Sequence, residues 1–193
     1  YRFMTLTTPA PRKHRHTRTV HAEGFLREDG LWDIEARMID SKTYVYTEPY
    51  RGDREPGSAV HDMAIRLTMD SQLTITAIEV SMAATPYPTC TQVAPNFQGL
   101  VGTTIGGGWR RVVNECVGAT RGCTHVRELL FPIATVAFQT IKGWPEGAAT
   151  VTKVAMPVEM AQSTFVNGCY AWAADGEVVA EMYPTLSTRT VAP

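Results

Sequence analysis

Residues 31–40, Leu31-Trp32-Asp33-Ile34-Glu35-Ala36-Arg37-Met38-Ile39-Asp40, decide the fold. Successive side chains of a strand point to opposite faces. Trp32, Ile34, Ala36 and Met38 fall on one face, and Asp33, Glu35 and Arg37 on the other. A helix would scatter both sets around its axis, so the stretch predicts a strand with one buried and one wet face.

The pattern spreads outward from there. Upstream, Thr17–Leu26 is rich in β-formers, and Glu28-Asp29-Gly30 supplies the connecting turn. Downstream, residues 48–57 contain Pro49, Gly52, Pro56 and Gly57 and read as a loop. Alternation resumes in Val60–Met69, with His61, Met63, Ile65, Leu67 and Met69 on one face and Asp62, Arg66 and Thr68 on the other. Asp70-Ser71 makes a tight turn, and Leu73–Met82 gives the next strand. Connections this short favour an antiparallel meander.

The middle of the chain changes period. After Pro86 and Pro88 it reads as helix and loop to about residue 141. Gly102, Gly106, Gly107 and Gly108 lack the Lys-Ser/Thr of a P-loop and the spacing of a dinucleotide motif, so they read as a glycine-rich turn. The strongest helix runs from Thr124 to Ile141, with Leu129, Leu130, Ile133, Ala137 and Ile141 as its apolar stripe. Thr124 is suited to cap it. Pro132 should kink or interrupt it, because proline cannot donate to the carbonyl of Glu128. Residues 150–183 return to strand: Tyr170–Ala173 and Glu177–Tyr183 flank Asp175-Gly176, a hairpin signal. Strands, then helices, then strands predict an α+β fold. It is an antiparallel β-meander packed with helices from the middle of the chain, with a C-terminal hairpin joining the sheet. One domain is expected over residues 17–193, after a flexible basic leader at 1–16 that includes Arg12, Lys13, His14, Arg15 and His16.

The 193 residues are 44% hydrophobic and 19% charged, which is globular composition. A net charge of -1 and a pI of about 6.6 give no global field for nucleic acid or an anionic membrane, so neither is an expected partner. No apolar run approaches the roughly 18 residues that span a bilayer. Cys90, Cys116, Cys123 and Cys169 are too sparse for a disulfide framework, so free thiols and a cytoplasmic location are expected.

Gly122-Cys123-Thr124-His125 is the block richest in chemistry. At a helix start, free N–H groups create positive potential that suits a thiolate or an anionic ligand. His125 and Glu128 are three apart on neighbouring parts of one helical face, an acid–base pairing. A buried cysteine beside a capping threonine is the structural alternative. His61 joins the apolar face of its strand and is either a satisfied core histidine or a recruited base. Tyr87 offers a phenol for proton relay, Arg66 a guanidinium for phenolate or carboxylate charge, and Trp32 an aromatic wall. The catalytic candidates are therefore His125, His61, Tyr87 and Glu128. The substrate-binding candidates are Arg66, Trp32, Cys123 and Thr124. No cofactor is expected; a metal, if held, would use Cys90, Cys123 and His125. Self-association as a homodimer is left open.

Three runs carry a family resemblance: residues 24–36 (GFLREDGLWDIEA), 61–68 (HDMAIRLT) and 122–125 (GCTH). Over roughly residues 18–141 the chain resembles the bacterial domain of unknown function 2889. That resemblance implies a role in breaking down aromatic, lignin-derived compounds. It implies a lyase that releases formaldehyde from a phenolic substrate. The order of three strands, a cysteine, a helical region and a second cysteine also resembles NifU-type iron–sulfur scaffolds, with Cys90 and Cys123 at two ligand positions. Cys116 lies too close to Cys123 to match the third. A metal or iron–sulfur scaffold is the alternative function.

Overall fold

In a computed structural model of the protein, residues 6–142 and 158–189 are described. Where the sequence predicts one domain from residue 17, the chain divides into two compact units, residues 1–142 and 143–193. Among the described leader residues, 6–15 are exposed and lack regular structure, but the end of this segment is tied to the sheet. The Thr43 hydroxyl donates to the His14 carbonyl at 2.6 Å.

The first unit is built on a four-stranded antiparallel sheet. Its strands β1 (His16–Leu26), β2 (Trp32–Lys42), β5 (Ala59–Met69) and β6 (Ile75–Ala84) lie in the order β1-β2-β5-β6. The stretch at 48–57, read as a loop, contributes to a small hairpin of β3 (Tyr46–Glu48) and β4 (Gly52–Arg54). A 3-10 segment (Cys90–Leu100), α1 (Trp109–Val117) and α2 (Thr124–Ile141) follow.

The expected faces are the observed ones. Ile34, Ala36, Met38, Met63, Ile65 and Leu67 are buried against Leu129, Leu130, Ile133 and Ala137 of α2 and Phe97 and Leu100 of the 3-10 segment. Each large side chain buried this way contributes about 1.5–3 kcal/mol before entropy is counted. Helix α2 crosses β1 so closely that a Cβ on Gly24 would stand 2.2 Å from Thr140 Oγ1. The opposite sheet face is wet, laced by Arg37–Asp62 and by Arg66 with Glu35 and Glu79.

Two helix details differ from expectation. The N-cap of α2 is Cys123, not Thr124, and no side chain caps it. Pro132 lies within α2, which runs unbroken from Thr124 to Ile141. Glu128, whose carbonyl loses its helical partner, is an exposed residue where water can take the bond.

The second unit holds α3 (Val158–Thr164), a 3-10 turn (Tyr170–Trp172), α4 (Glu177–Met182) and a 3-10 turn (Pro184–Leu186). The C-terminal hairpin expected across Asp175-Gly176 is not formed. An Asp-Gly hairpin turn needs positive φ at both central residues, whereas Gly176 has φ -81° and N-caps α4. Helix α4 instead buries Val179 with Ala161 and Tyr183, and Trp172 packs against them. The strand expected to begin near residue 150 falls at first on residues outside the described ones.

Candidate functional site

The alternation of β2 does not stop at Met38. One step further it carries Asp40 onto the core face, where its side chain is 1% exposed. A buried carboxylate must be paired and hydrogen-bonded, and the sheet supplies the partners by register. Arg18 of β1 and His61 of β5 stand directly across from Asp40 on either side. Arg18 Nε and Nη2 each donate to the carboxylate at 2.7 Å, one to each oxygen. His61 Nδ1 lies 3.0 Å from Oδ2 and His16 Nε2 3.2 Å from Oδ1.

Burial alone would push the Asp40 carboxyl up. The hydrogen bond and charge of Arg18, then the bonds from His61 and His16, outweigh burial and hold it down at about 2. Asp40 is therefore ionised near neutrality and can only accept. The proton on His61 must then sit on Nδ1, which leaves the Nε2 lone pair bare.

His125 reaches the same place from α2. A Cβ on Gly122 would lie 2.3 Å from the Val117 carbonyl oxygen, so glycine is what lets the chain turn this tightly from α1 into α2. The turn delivers Cys123 and His125 to the sheet. The His125 and His61 rings are tilted face to face, centroids 3.7 Å apart and planes at 31°. Cys123 Sγ lies 3.9 Å from His125 Nδ1. Burial, then the charges of His61 and Arg18, lower the His125 pKa below 6.5, against Asp40 and Glu128. Burial also lowers that of His61, although Asp40 opposes it. Both rings are thus held neutral at pH 7, the form a general base needs.

One donor atom from each of Asp40, His61 and His125 falls within 4.8 Å of the others, a spacing that could hold a metal ion. The surroundings argue against a divalent one. Both Asp40 oxygens are already engaged, and a guanidinium abuts them. Two imidazoles on one tetrahedral ion at about 2.0–2.1 Å stand with centroids about 5 Å apart, wider than the observed stack. Cys90 begins the 3-10 segment and does not belong to this group, so the set Cys90, Cys123 and His125 is not assembled.

Of the other candidates, Thr124 flanks the site as the exposed first residue of α2. The charge of Glu128 acts weakly against the lowering of the His125 pKa, while its carboxylate lies 3.6 Å from the Arg127 guanidinium. Tyr87 is 50% exposed and meets Tyr50 edge to face. Trp32 opens β2 and packs on the core, roughly 26 Å from Asp40 at about 3.3 Å per strand residue. Arg66 is committed to Glu35 and Glu79 on the outward sheet face, where all three line a groove of about 320 Å³. Asp40, Arg18 and His16 were not singled out as site residues in the sequence. The signal for Asp40 was present, since it is the next inward position after Met38.

Among the described residues no helix is long and apolar enough to cross a membrane. No curated protein matches the chain, and no solved structure does, so the likeness to NifU-type scaffolds is not shown. The family model described as a protein of unknown function, DUF2889, matches residues 16–139, which include Arg18, Asp40, His61, Cys123 and His125. A match over more than half of the chain places the protein in the DUF2889 family.

Proposed function

We propose that this protein is an acid–base lyase that cleaves a carbon–carbon bond in an aromatic, lignin-derived phenolic compound and releases formaldehyde, without a redox cofactor. The observation that carries the reading is the hydrogen bond from His61 Nδ1 to the ionised Asp40, which leaves Nε2 free beside His125. Nε2 takes the hydroxyl proton of a hydroxymethyl group. The bond between that group and its neighbouring carbon breaks, and formaldehyde departs. The electron pair left on carbon forms a double bond and expels an aryloxide from the adjacent carbon. The aryloxide recovers a proton from the imidazole pair, so the site ends as it began. Nothing is oxidised or reduced by a second reactant. Expulsion of the aryloxide matters, because a free carbanion would be far too basic for imidazole partners.

Positioned proton transfer contributes typically ~10²–10⁴-fold, so holding the substrate must supply the rest. The test is aldehyde release from a phenylpropane-type phenolic dimer by the wild-type chain and by His61→Ala and His125→Ala. Loss of release in His61→Ala supports the assignment. Undiminished release in both variants removes the imidazoles as proton carriers, and no release from the wild type removes the reaction. The alternative is a metal or iron–sulfur scaffold. Metal analysis of protein purified without oxygen decides against the lyase if a stoichiometric cluster is found and turnover is absent.

A further inference from the structure

We propose that Cys123, Met63 and His125 form a binding site for a soft monovalent cation of the copper(I) class. Cys123 Sγ stands 3.9 Å from Met63 Sδ and 3.9 Å from His125 Nδ1. Donors held about 2.0–2.3 Å from one ion at trigonal angles lie about 3.5–4 Å from each other. The thiol already has that spacing to both neighbours.

The weak contacts among these atoms do not fix their positions; the fold does. Met63 lies on β5, is 1% exposed, and belongs to the core between sheet and α2. Its thioether faces the thiol from a place it cannot easily leave. Cys123 occupies the N-cap of α2, where unpaired N–H groups favour a negative charge. His125 is braced by His61.

The donor types choose the ion. Thiolate and thioether are soft ligands that select copper(I), and imidazole suits copper as well. Charge chooses its valence. The nearby carboxylate of Asp40 is already matched by Arg18. A dication on one thiolate would leave an uncompensated positive charge in a half-buried place beside a guanidinium, whereas a monovalent ion with one thiolate is neutral. Binding releases the thiol proton to solvent and needs no oxidant. The inference does not depend on the lyase reading, because it is measured as metal retention.

The experiment uses the full chain with Cys90, Cys116 and Cys169 all replaced by Ser, so that Cys123 is the remaining thiol. Under reducing, oxygen-free conditions it is titrated with copper(I) against a chromogenic chelator. One equivalent should be withheld from the chelator. Cys123→Ser in the same background should abolish retention, and Met63→Leu, nearly isosteric in the core, should weaken it about tenfold or more. X-ray absorption should show two sulfur neighbours. Retention unaffected by Met63→Leu, retention surviving Cys123→Ser, or preference for zinc(II) overturns the proposal. If the triple variant does not fold, Cys123→Ser alone must cost the parent chain one equivalent of copper; no such loss overturns it too.

Discussion

Arg18 and Asp40 face each other across β1 and β2, and the guanidinium grips both carboxylate oxygens at 2.7 Å. The carboxylate is 1% exposed and the arginine 42%. The pair is therefore neither a surface ion pair of little worth nor a fully sealed one. Its consequence is to keep a full negative charge under His61 inside an otherwise apolar sheet face. Arg18→Leu should strip the main compensation from Asp40. A partner removed from a buried pair costs several kcal/mol, and the exposure of the arginine reduces this to roughly 1–3 kcal/mol. Urea denaturation should show a lower midpoint with an unchanged slope. An unchanged midpoint would mean that His16 and His61 suffice.

The charge on Asp40 also sets the pH behaviour. Its folded pKa of about 2 lies below the ordinary 3.8. The unfolded chain therefore binds more protons in this window, and the stabilisation, present above it, is lost as pH falls from about 4 to about 2. Its size is of the order of 2 kcal/mol. His61 and His125 have folded pKa values below 6.5. They too favour unfolding as pH drops below that value, because the unfolded chain protonates first. Asp40→Asn should flatten the loss of stability between pH 4 and 2. It should also lower aldehyde release by ~10²–10⁴-fold, since an amide no longer fixes the proton on Nδ1 of His61. In the wild type, release should climb with pH to a plateau reached before pH 7. A midpoint above 6.5 would contradict neutral imidazoles held by burial.

Arg66 supplies the opposite expectation. It was a natural choice for holding an anionic substrate, yet it follows the outward alternation of β5 and is paired with Glu35 and Glu79. Arg66→Ala should leave the KM and kcat for a phenolic dimer unchanged and shift stability by no more than about 1 kcal/mol. A KM raised tenfold would place substrate on the wet face of the sheet and move the site away from Asp40.

Local pattern made the scaffold legible, and register hid the site. The alternation of Trp32, Ile34, Ala36 and Met38 and the stripe of α2 located the sheet face and the helix covering it. His61, Cys123 and His125 were legible as types of residue in suggestive places. Asp40 needed only one more step of the same alternation. Arg18 was harder, because it sits at the end of a basic run that resembles a solvated arm. Its partner lies 22 residues away across a hairpin, and no local feature of either strand announces that pairing. Trp32 packs on the core at the far end of β2 from Asp40, and an aromatic side chain carries no mark in the sequence of which end of a sheet it will occupy. Asp175-Gly176 misled because a turn dipeptide says nothing about whether its flanks pair, and Glu177–Met182 buries its apolar side better as a helix.

Gly122 tests whether the site depends on the turn that feeds α2. Its backbone is extended, with φ -145°, so an alanine there is not excluded by conformation. It is excluded by space. The new methyl would stand 2.3 Å from the Val117 carbonyl oxygen and 3.0 Å from Val117 Cβ. Neither can retreat, since Val117 closes α1 and is 1% exposed. The adjustment must come from the Cys123 side, which carries His125 with it. Overpacking of this kind costs typically about 1–3 kcal/mol. Misplacing a catalytic group by about 1 Å can cost on the order of 10²-fold in rate. Gly122→Ala should therefore remain folded by circular dichroism while losing far more aldehyde release than its drop in stability explains. Gly30→Ala is the matching control. Gly30 lies in the β1–β2 turn with open space around it, so any effect there comes from its positive φ of 83° and should appear in stability alone. Equal losses of activity in the two variants would mean that the α1–α2 turn has no special hold on His125.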